Sequence, residues 1–293
     1  MDYVPEEFIR NVERNVWNAA RHTLSEELIG RWSTVAMKTD YQMRVTIEIA
    51  VANDVVSYRL LTNYLDDINL SLWNPRKHTV YRICIHALPT YYFSIMTEEV
   101  TDKLKKIILI SSKYQRMEYF EVWDDILFSR YPKILQLFDC IPSIQNFLVQ
   151  SLDNSLTSFF KRILEKTLFK LSIHVSVNEE CFELIRIALK KKRLLQASFL
   201  FEMDKQRANR ILNTIMHEIT WHKSYCLMYG KDQEQKIAVF QQKLQPLKID
   251  GQHNLFRTDD GTQIKLQRGS CLDYKGDSEY FASAEQFQDA IFG

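Results

Sequence analysis

Hydrophobic and polar positions recur along much of this chain with the period of a helix. From Cys181 to Phe199, and again from Ala208 to Cys226, core-type residues recur in steps of three and four, with Lys192 interrupting the first run. Such spacing is typical of one buried helix face. Less regular helical patterns cover residues 103–112, 116–130, 133–140 and 143–171.

Two short segments instead alternate apolar and other residues with a period of two. They comprise Val45, Ile47, Ile49 and Val51 in the first, and Tyr81, Ile83 and Ile85 in the second. Alternation is the pattern of a half-buried strand, but a short apolar run is also compatible with a buried helix. Both interpretations stay open on periodicity alone, and glycine usage favours the helix.

Glycine is distributed very unevenly along the chain. Of seven glycines, six lie at or beyond residue 230, and residues 31–229 contain none. Sheet proteins use glycine at tight turns that need φ > 0, whereas helical connections can use Asn, Asp, Ser and Pro. The sequence therefore predicts an all-α fold, an extended helical array that is solenoid-like or an irregular bundle.

Local helix-start signals agree with that prediction. Thr23 and Glu26, and likewise Ser176 and Glu179, match the capping box, in which hydroxyl and carboxylate each accept from a backbone N–H of the first turn. Thr97 precedes two glutamates, which suit the positive end of a helix.

The pattern changes towards the end of the chain, so we predict two domains: a helical array over 1–245 and a mixed tail over 246–293. Residues 231–245 fit a last helix. Residues 259–261 resemble a turn that leads into an alternating, strand-like stretch at 262–268. Residues 283–292 are a candidate for a short terminal helix.

Charge and cysteine usage exclude several classes of protein. With 38 basic and 37 acidic residues the net charge is +1, so no global attraction to nucleic acid or anionic membrane follows. Neither a secretory signal nor an apolar run of the ~20 residues that a membrane span needs occurs. We expect a soluble, intracellular protein, cytoplasmic or nuclear, without membrane association. Five cysteines without a C-x-x-C pair do not indicate a disulfide framework or a zinc ribbon.

The histidine and cysteine pairs favour packing over chemistry. His217 and His222 are five residues apart, which places them ~140° apart on a helix, too far to share a metal. His222 and Cys226 have helical i, i+4 spacing, but they continue an apolar stripe. Cys84 lies two residues from His86 among apolar neighbours, a setting that raises a thiol pKa. The sequence thus predicts no catalytic residue, no metal and no cofactor.

Glycine-rich phosphate loops and the nucleophile elbow are also missing from the sequence. Their absence counts against nucleotide hydrolases, kinases, dinucleotide-dependent oxidoreductases and α/β-hydrolases. We therefore predict a protein that is not an enzyme. An enzyme whose site is assembled from distant helices is a further alternative.

One charged stretch stands out. Residues 186–210 contain eight basic and two acidic residues, a local net charge of +6. A solvated helix end would explain them, but they also form a candidate partner or nucleic-acid surface. Its candidate residues are Lys190, Lys191, Lys192, Arg193, Lys205, Arg207 and Arg210.

The function that these observations favour is a non-catalytic interaction scaffold or adaptor, which presents a helical surface to a protein partner. The alternative is a nuclear, nucleic-acid-associated protein that uses the basic stretch 186–210. No aromatic residues interleave with its lysines, so the usual stacking platform of single-strand binders is missing.

Overall fold

The computed structural model describes the chain between residues 43 and 276, with gaps. The described ranges are 43–52, 55–62, 66–75, 77–86, 93–114, 117–123, 131–191, 193–201, 203–218, 224–249, 253–269 and 272–276. Within them, 43% of the residues lie in strands and 34% in helices. The predicted all-α helical array, and the helical-repeat character inferred with it, are therefore wrong. The protein is rich in strands that pair both parallel and antiparallel.

Two compact units divide the chain, Met1–Leu148 and Val149–Gly293. The two units are groups of residues that contact one another more than they contact the rest of the chain. This grouping does not test the predicted boundary between a helical array and a mixed tail, so the boundary at residues 245 and 246 stays a prediction.

The first unit combines strands with two α-helices. Its described elements are β1 (Met43–Ala52), β2 (Val55–Thr62), a 3₁₀ turn (Leu70–Leu72), β3 (His78–His86), β4 (Ser94–Ile95), α1 (Glu98–Tyr114), β5 (Met117–Val122) and α2 (Pro132–Leu137). The next strand, β6 (Ile144–Leu152), contains the division between the units.

Strands of the first unit follow the spatial order β5-β3-β1-β2-β4. β1, β3 and β5 run parallel, whereas β2 is antiparallel to β1 and β4 is antiparallel to β2. The register pairs Ala52 with Val55, so β1 and β2 are joined by the two residues Asn53 and Asp54. Neither of these two residues is a glycine.

The two alternating segments are strands, so the preference for helices there was wrong. Val45, Ile47 and Ile49 of β1 are fully buried, as are Ile83 and Ile85 of β3. Parallel strands are joined by long crossovers, not by tight turns. A βαβ arrangement therefore needs few residues with φ > 0, and a glycine-free segment is compatible with a sheet.

Helix α1 begins where the sequence predicts. It starts at Glu98, and the backbone N–H of Val100 donates to Thr97 Oγ1 at 3.3 Å. The Val80 N–H donates to Ser111 Oγ at 3.1 Å, which places the helix against β3. The predicted helix at 116–130 is wrong in its described part, because residues 117–122 form β5. The predicted helix at 133–140 is present as α2, which spans Pro132–Leu137.

The second unit continues with helices and strands in alternation and ends in strands. Its described elements after β6 are α3 (Thr157–Ile163), β7 (Leu168–Val177), α4 (Glu179–Lys190), β8 (Leu194–Phe199), α5 (Lys205–Asn213), a π-helical turn (Thr214–Glu218), β9 (Ser224–Tyr229), a 3₁₀ turn (Lys231–Gln233), α6 (Glu234–Gln241), β10 (Gln245–Ile249), β11 (His253–Arg257), β12 (Gln263–Arg268) and β13 (Leu272–Gly276).

These strands follow the spatial order β10-β11-β12-β9-β13-β8-β7. β7 and β8 are parallel, and so are β9 and β12. β13 lies between β8 and β9 and is antiparallel to both, while β10, β11 and β12 pair antiparallel in succession. None of the helices described here is long and apolar enough to cross a membrane.

The helical stretches predicted at 181–199 and 208–226 each begin in a helix, but each ends in the strand that follows that helix. Cys181 and Ile185 are buried in α4, but Phe199 lies in β8 and Cys226 in β9. The predicted helix at 143–171 holds only for α3, because strands β6 and β7 occupy residues 144–152 and 168–171. The capping box predicted at Ser176 is wrong, because Ser176 is still in β7 and α4 begins only at Glu179. The cap is instead Asn178 Oδ1, which accepts from the Cys181 N–H at 2.7 Å.

The predicted turn and strand near the end of the chain are confirmed. Residues 263–268 form β12, and Gly261 precedes them with φ +88°, a conformation that favours glycine. α6 confirms a helix within 231–245. The capping box at Thr23 and the helix candidate at 283–292 lie outside the described residues.

Strand register builds the core of the second unit. Cross-strand partners on one face are apolar and buried on five neighbouring strands: Leu171, Ala197, Tyr274, Leu227 and Leu266. Since side chains alternate along a strand, the residues between them share the opposite face. That opposite face carries polar residues such as Lys170, Gln196 and Lys275, although Leu168 and Leu194 on it are fully buried.

Candidate functional site

A row of polar side chains crosses four neighbouring strands of the first unit. The register pairs Arg59 of β2 with Glu48 of β1, Glu48 with Cys84 of β3, and Cys84 with Glu121 of β5. Cross-strand partners project from the same face. These four residues, here called the Cys84 row, therefore lie side by side opposite the buried isoleucines of β1 and β3.

Both carboxylates of the Cys84 row are paired with arginines. Arg59 Nε lies 2.5 Å from Glu48 Oε2, and Arg82 Nη2 lies 2.7 Å from Glu121 Oε2. Trp123 Nε1 also donates to Glu121 Oε2, at 3.1 Å. These bonds satisfy a carboxylate that is only 5% exposed and hold it in a fixed position.

The thiol between the two carboxylates is electrostatically unreactive. Burial raises the pKa of Cys84 to about 12, and the nearby charge of Glu121 adds to the effect. Cys84 Sγ lies 3.9 Å from Glu121 Oε2. The sequence predicts a raised thiol pKa because the neighbours in the chain are apolar, and the structure adds a charged neighbour, Glu121, that raises it further. A nucleophilic cysteine needs the opposite environment, one that favours the thiolate.

His86 lies next to this row and is disposed to be neutral. Burial lowers its pKa, although the charge of Glu48 acts against that shift. Nε2 is 3.8 Å from Glu48 Oε2, beyond hydrogen-bond distance, and it has no hydrogen-bond partner among the described residues. The ring also packs edge-on against Phe93, with 5.9 Å between centroids. The Cys84 row with His86 thus forms a structured polar face, not an activated nucleophile with its base.

The predicted basic surface is divided between two places in the second unit. Lys190, Lys191 and Arg193 lie at and just after the end of α4, while Lys205, Arg207 and Arg210 lie on α5. Arg207 and Arg210 contact Glu179 at the opposite end of α4 from Lys190. A helix of 12 residues is about 18 Å long, so the two groups are well separated. Lys192 lies outside the described residues.

Acidic residues are paired with three of the six described cations, Lys190, Arg207 and Arg210. Lys190 Nζ is 3.0 Å from Glu218, and this contact lowers the pKa of that carboxyl. Arg210 pairs with Glu179 at 2.5 Å and also with Glu183. Arg207 lies 3.1 Å from Glu179. The basic residues Lys190, Arg207 and Arg210 therefore belong to a network of ion pairs with acidic residues and are not an isolated positive surface.

The other three described candidates, Lys191, Arg193 and Lys205, have no carboxylate paired with them in the part of the chain that the structure describes. Arg193 Nη1 donates to the carbonyl of Leu164 at 3.4 Å. Lys191 and Lys205 are exposed, and neither has an ion-pair partner within the described ranges.

The histidine and cysteine pair at 222 and 226 loses its predicted geometry. Cys226 lies in β9, so i, i+4 spacing on a helix does not apply. His222 falls outside the described ranges, and His217 is exposed in the π-helical turn. Among the described residues, no group of three or more His, Cys, Asp or Glu side chains could hold a metal ion.

Sequence reasoning missed a second row, on the polar face of the second unit. The register joins residues of β7, β8, β13, β9 and β12 in that order, and we call them the lysine row: Lys170, Gln196, Lys275, Cys226 and Lys265. Lysine occupies every second strand. The alternation around Lys265 was the single visible signal, because the other lysines stand in separate strands far apart in sequence.

Interactions at Cys226 support the placement of the lysine row. Burial raises the pKa of this thiol, while the charges of Lys265 and Lys275 lower it and that of Asp273 raises it. Asp273 belongs to the adjacent row, where its Oδ1 accepts from Ser198 Oγ at 2.9 Å. The two lysines therefore flank Cys226 in space as well as in register.

Comparisons with known proteins identify no relative: the chain matches no family of known proteins, no curated sequence and no solved structure. Functional inference therefore depends on the two rows and their chemistry.

Proposed function

We propose that this protein is a non-catalytic interaction protein, and that it binds another protein through the polar faces of its strands. The observation that carries the proposal is the in-register arrangement of polar side chains on one face in each unit, opposite a buried apolar face. The partly exposed members of these faces, Arg59 in the first unit and Lys170, Lys265 and Lys275 in the second, offer fixed charged groups to a partner.

The chemistry of the rows supports binding more than catalysis. Glu48 and Glu121 are both held by arginines, and the thiols of Cys84 and Cys226 both have raised pKa values. Catalytic sites usually combine a reactive group with a positioned base. In the first unit the carboxylates are paired with arginines, and charged groups fixed in this way are typical of surfaces that specify orientation and partner.

The fold changes the surface that the sequence analysis proposed for this role. A helical surface was expected, but three of the six described candidate cations, Lys190, Arg207 and Arg210, are paired with Glu179, Glu183 or Glu218. The strands instead place lysines of three strands on one face, in register. Binding of nucleic acid in the nucleus through 186–210 stays a prediction, and these ion pairs make it the weaker one.

Cross-linking can test the proposal. The intact chain should recover a protein partner in near-stoichiometric amount after nuclease treatment. An amine-reactive cross-linker should then join that partner to lysines of the strands, above all Lys170, Lys265 and Lys275. Lys191 and Lys205 on the helices serve as matched, exposed controls. Links confined to the control lysines, or recovery that nuclease abolishes, would contradict the proposal.

A further inference from the structure

We infer that the lysine row is a docking site for an acidic, extended segment of a partner protein. This inference rests on the proposed function and names the chemistry of the partner. Lys170, Lys275 and Lys265 place three positive charges on one face, at alternating strands.

The charge of this face is strongly one-signed. In addition to the three lysines, Arg257 of β11 shares the face, because its strand neighbour Leu255 pairs with Lys265. Asp273 is the carboxylate of the adjacent row. These five groups sum to +3, in a protein whose net charge is +1. Charge complementarity therefore calls for a partner rich in carboxylates.

The dimensions of the row match a short peptide. Neighbouring strands are about 4.8 Å apart, so successive lysines are about 10 Å apart and the outer two are about 19 Å apart. An extended chain covers that distance in about six residues. The three lysines are partly exposed, and so is Gln196, which lies in the row between Lys170 and Lys275. Its amide can hydrogen-bond a peptide backbone or a carboxylate.

The composition of the face favours carboxylates over nucleic acid. Within the described residues, the positions of the two rows contain no Phe, Tyr or Trp on which bases could stack. An acidic peptide needs no such stacking platform.

Peptide binding by the full chain tests this inference. The probe is a fluorescein-labelled peptide of six Glu-Ser repeats, followed by fluorescence anisotropy at low and at moderate salt. Replacing Lys170, Lys265 and Lys275 together by Gln should weaken binding at least tenfold. The matched control replaces the exposed Lys191, Lys205 and Lys231 by Gln, which changes the net charge equally, and it should alter affinity less than twofold.

Two further measurements keep the test decisive. Changing the same three row lysines to Arg retains the charge and should retain peptide binding, which separates loss of charge from loss of folding. A fluorescein-labelled single-stranded DNA of equal charge should bind more weakly than the peptide. Equal losses in the two Gln triples, no loss in the row triple, or tighter binding of the DNA would each overturn the inference.

The outcome also separates this inference from the proposed function. If the row triple still recovers the cross-linked partner and still binds the peptide, the lysine row is not the docking site but the interaction function stands. If peptide binding is lost in the row triple while the wild-type chain recovers no partner, the docking chemistry stands and the proposed function fails.

Discussion

Replacing Glu121 by Gln should accelerate alkylation of Cys84. The thiol pKa is raised from 9.0 to about 12, so at pH 8 its thiolate fraction is ~1,000-fold below that of an ordinary cysteine. Burial is the leading cause and the charge of Glu121 is the second. Removing that charge, while keeping the size and an acceptor oxygen, lowers the thiol pKa.

The expected size of the effect follows from the geometry. At 3.9 Å and an effective dielectric of about 20, the carboxylate and a thiolate repel by about 4 kcal/mol, which is a ceiling. Arg82 pairs with the same carboxylate and offsets part of this repulsion. We expect a fall of about one pKa unit, which gives tenfold more thiolate. Since nucleophilicity falls with pKa, the rate should rise about threefold.

Peptide-resolved mass spectrometry after timed iodoacetamide treatment of the native protein measures this rate for each cysteine. Partly exposed Cys140 is the internal reference, and Glu99→Gln, an exposed change on α1, is the matched control. The rate at Cys140, and the rate at Cys84 in Glu99→Gln, should both equal those of the wild-type protein. Glu121→Gln should lower the melting temperature, because Arg82 loses its buried, charged partner, so labelling is done well below that temperature. Rapid labelling of wild-type Cys84, or an equal rate in Glu121→Gln with the fold intact, would refute the assigned electrostatics.

Three other substitutions test the fold on which the rows depend. Phe120 is fully buried, and its ring centroid is 4.9 Å from that of Phe138, so Phe120→Ala should lower the free energy of unfolding by about 3–5 kcal/mol in urea denaturation. Tyr119→Ala, at the exposed neighbour, should lower it by less than about 1 kcal/mol, and similar costs for the two variants would contradict the alternation of β5. Gly261→Ala should cost about 1–2 kcal/mol because φ is +88°, although no atom lies within 4 Å of the added carbon, and a neutral result would argue against that turn. Burial lowers the pKa of His86 from 6.5, so folding disfavours its proton and stability should fall as pH drops from about 7 to 5; His86→Gln should reduce that fall, and an unchanged pH profile would count against the buried, neutral imidazole.

The sequence was most informative where structure is local. The period of α4, the cap at Thr97 and the turn at Gly261 each depend on residues within a few positions of one another, and all three are present. Strand identity at β1 and β3 was not decided by alternation alone. The glycine argument then gave the wrong answer, because it treated every sheet as a series of tight hairpins.

Register is the part of the site that the sequence could not provide. β13 inserts between β8 and β9, so Lys275 becomes a neighbour of Gln196 and Cys226, which lie far away in the chain. Such pairings depend on which buried faces pack together, a property of the whole fold. No local pattern around Lys170 distinguishes it from an ordinary surface lysine.

Charge counted along the chain and charge counted over a surface lead to different candidates. The window 186–210 has a net charge of +6 because it ends just short of the residues that compensate it: Glu179 and Glu183 precede it, and Glu218 follows it. The three lysines of the lysine row are too far apart in sequence to share such a window, yet strand pairing places them on one face. Electrostatic attraction acts over about a Debye length in space, ~10 Å at 0.1 M salt, and not over sequence separation. Binding of an acidic partner should therefore depend more steeply on salt when the lysine row is intact than when it is neutralised, while neutralising Lys191 and Lys205 should leave that slope nearly unchanged.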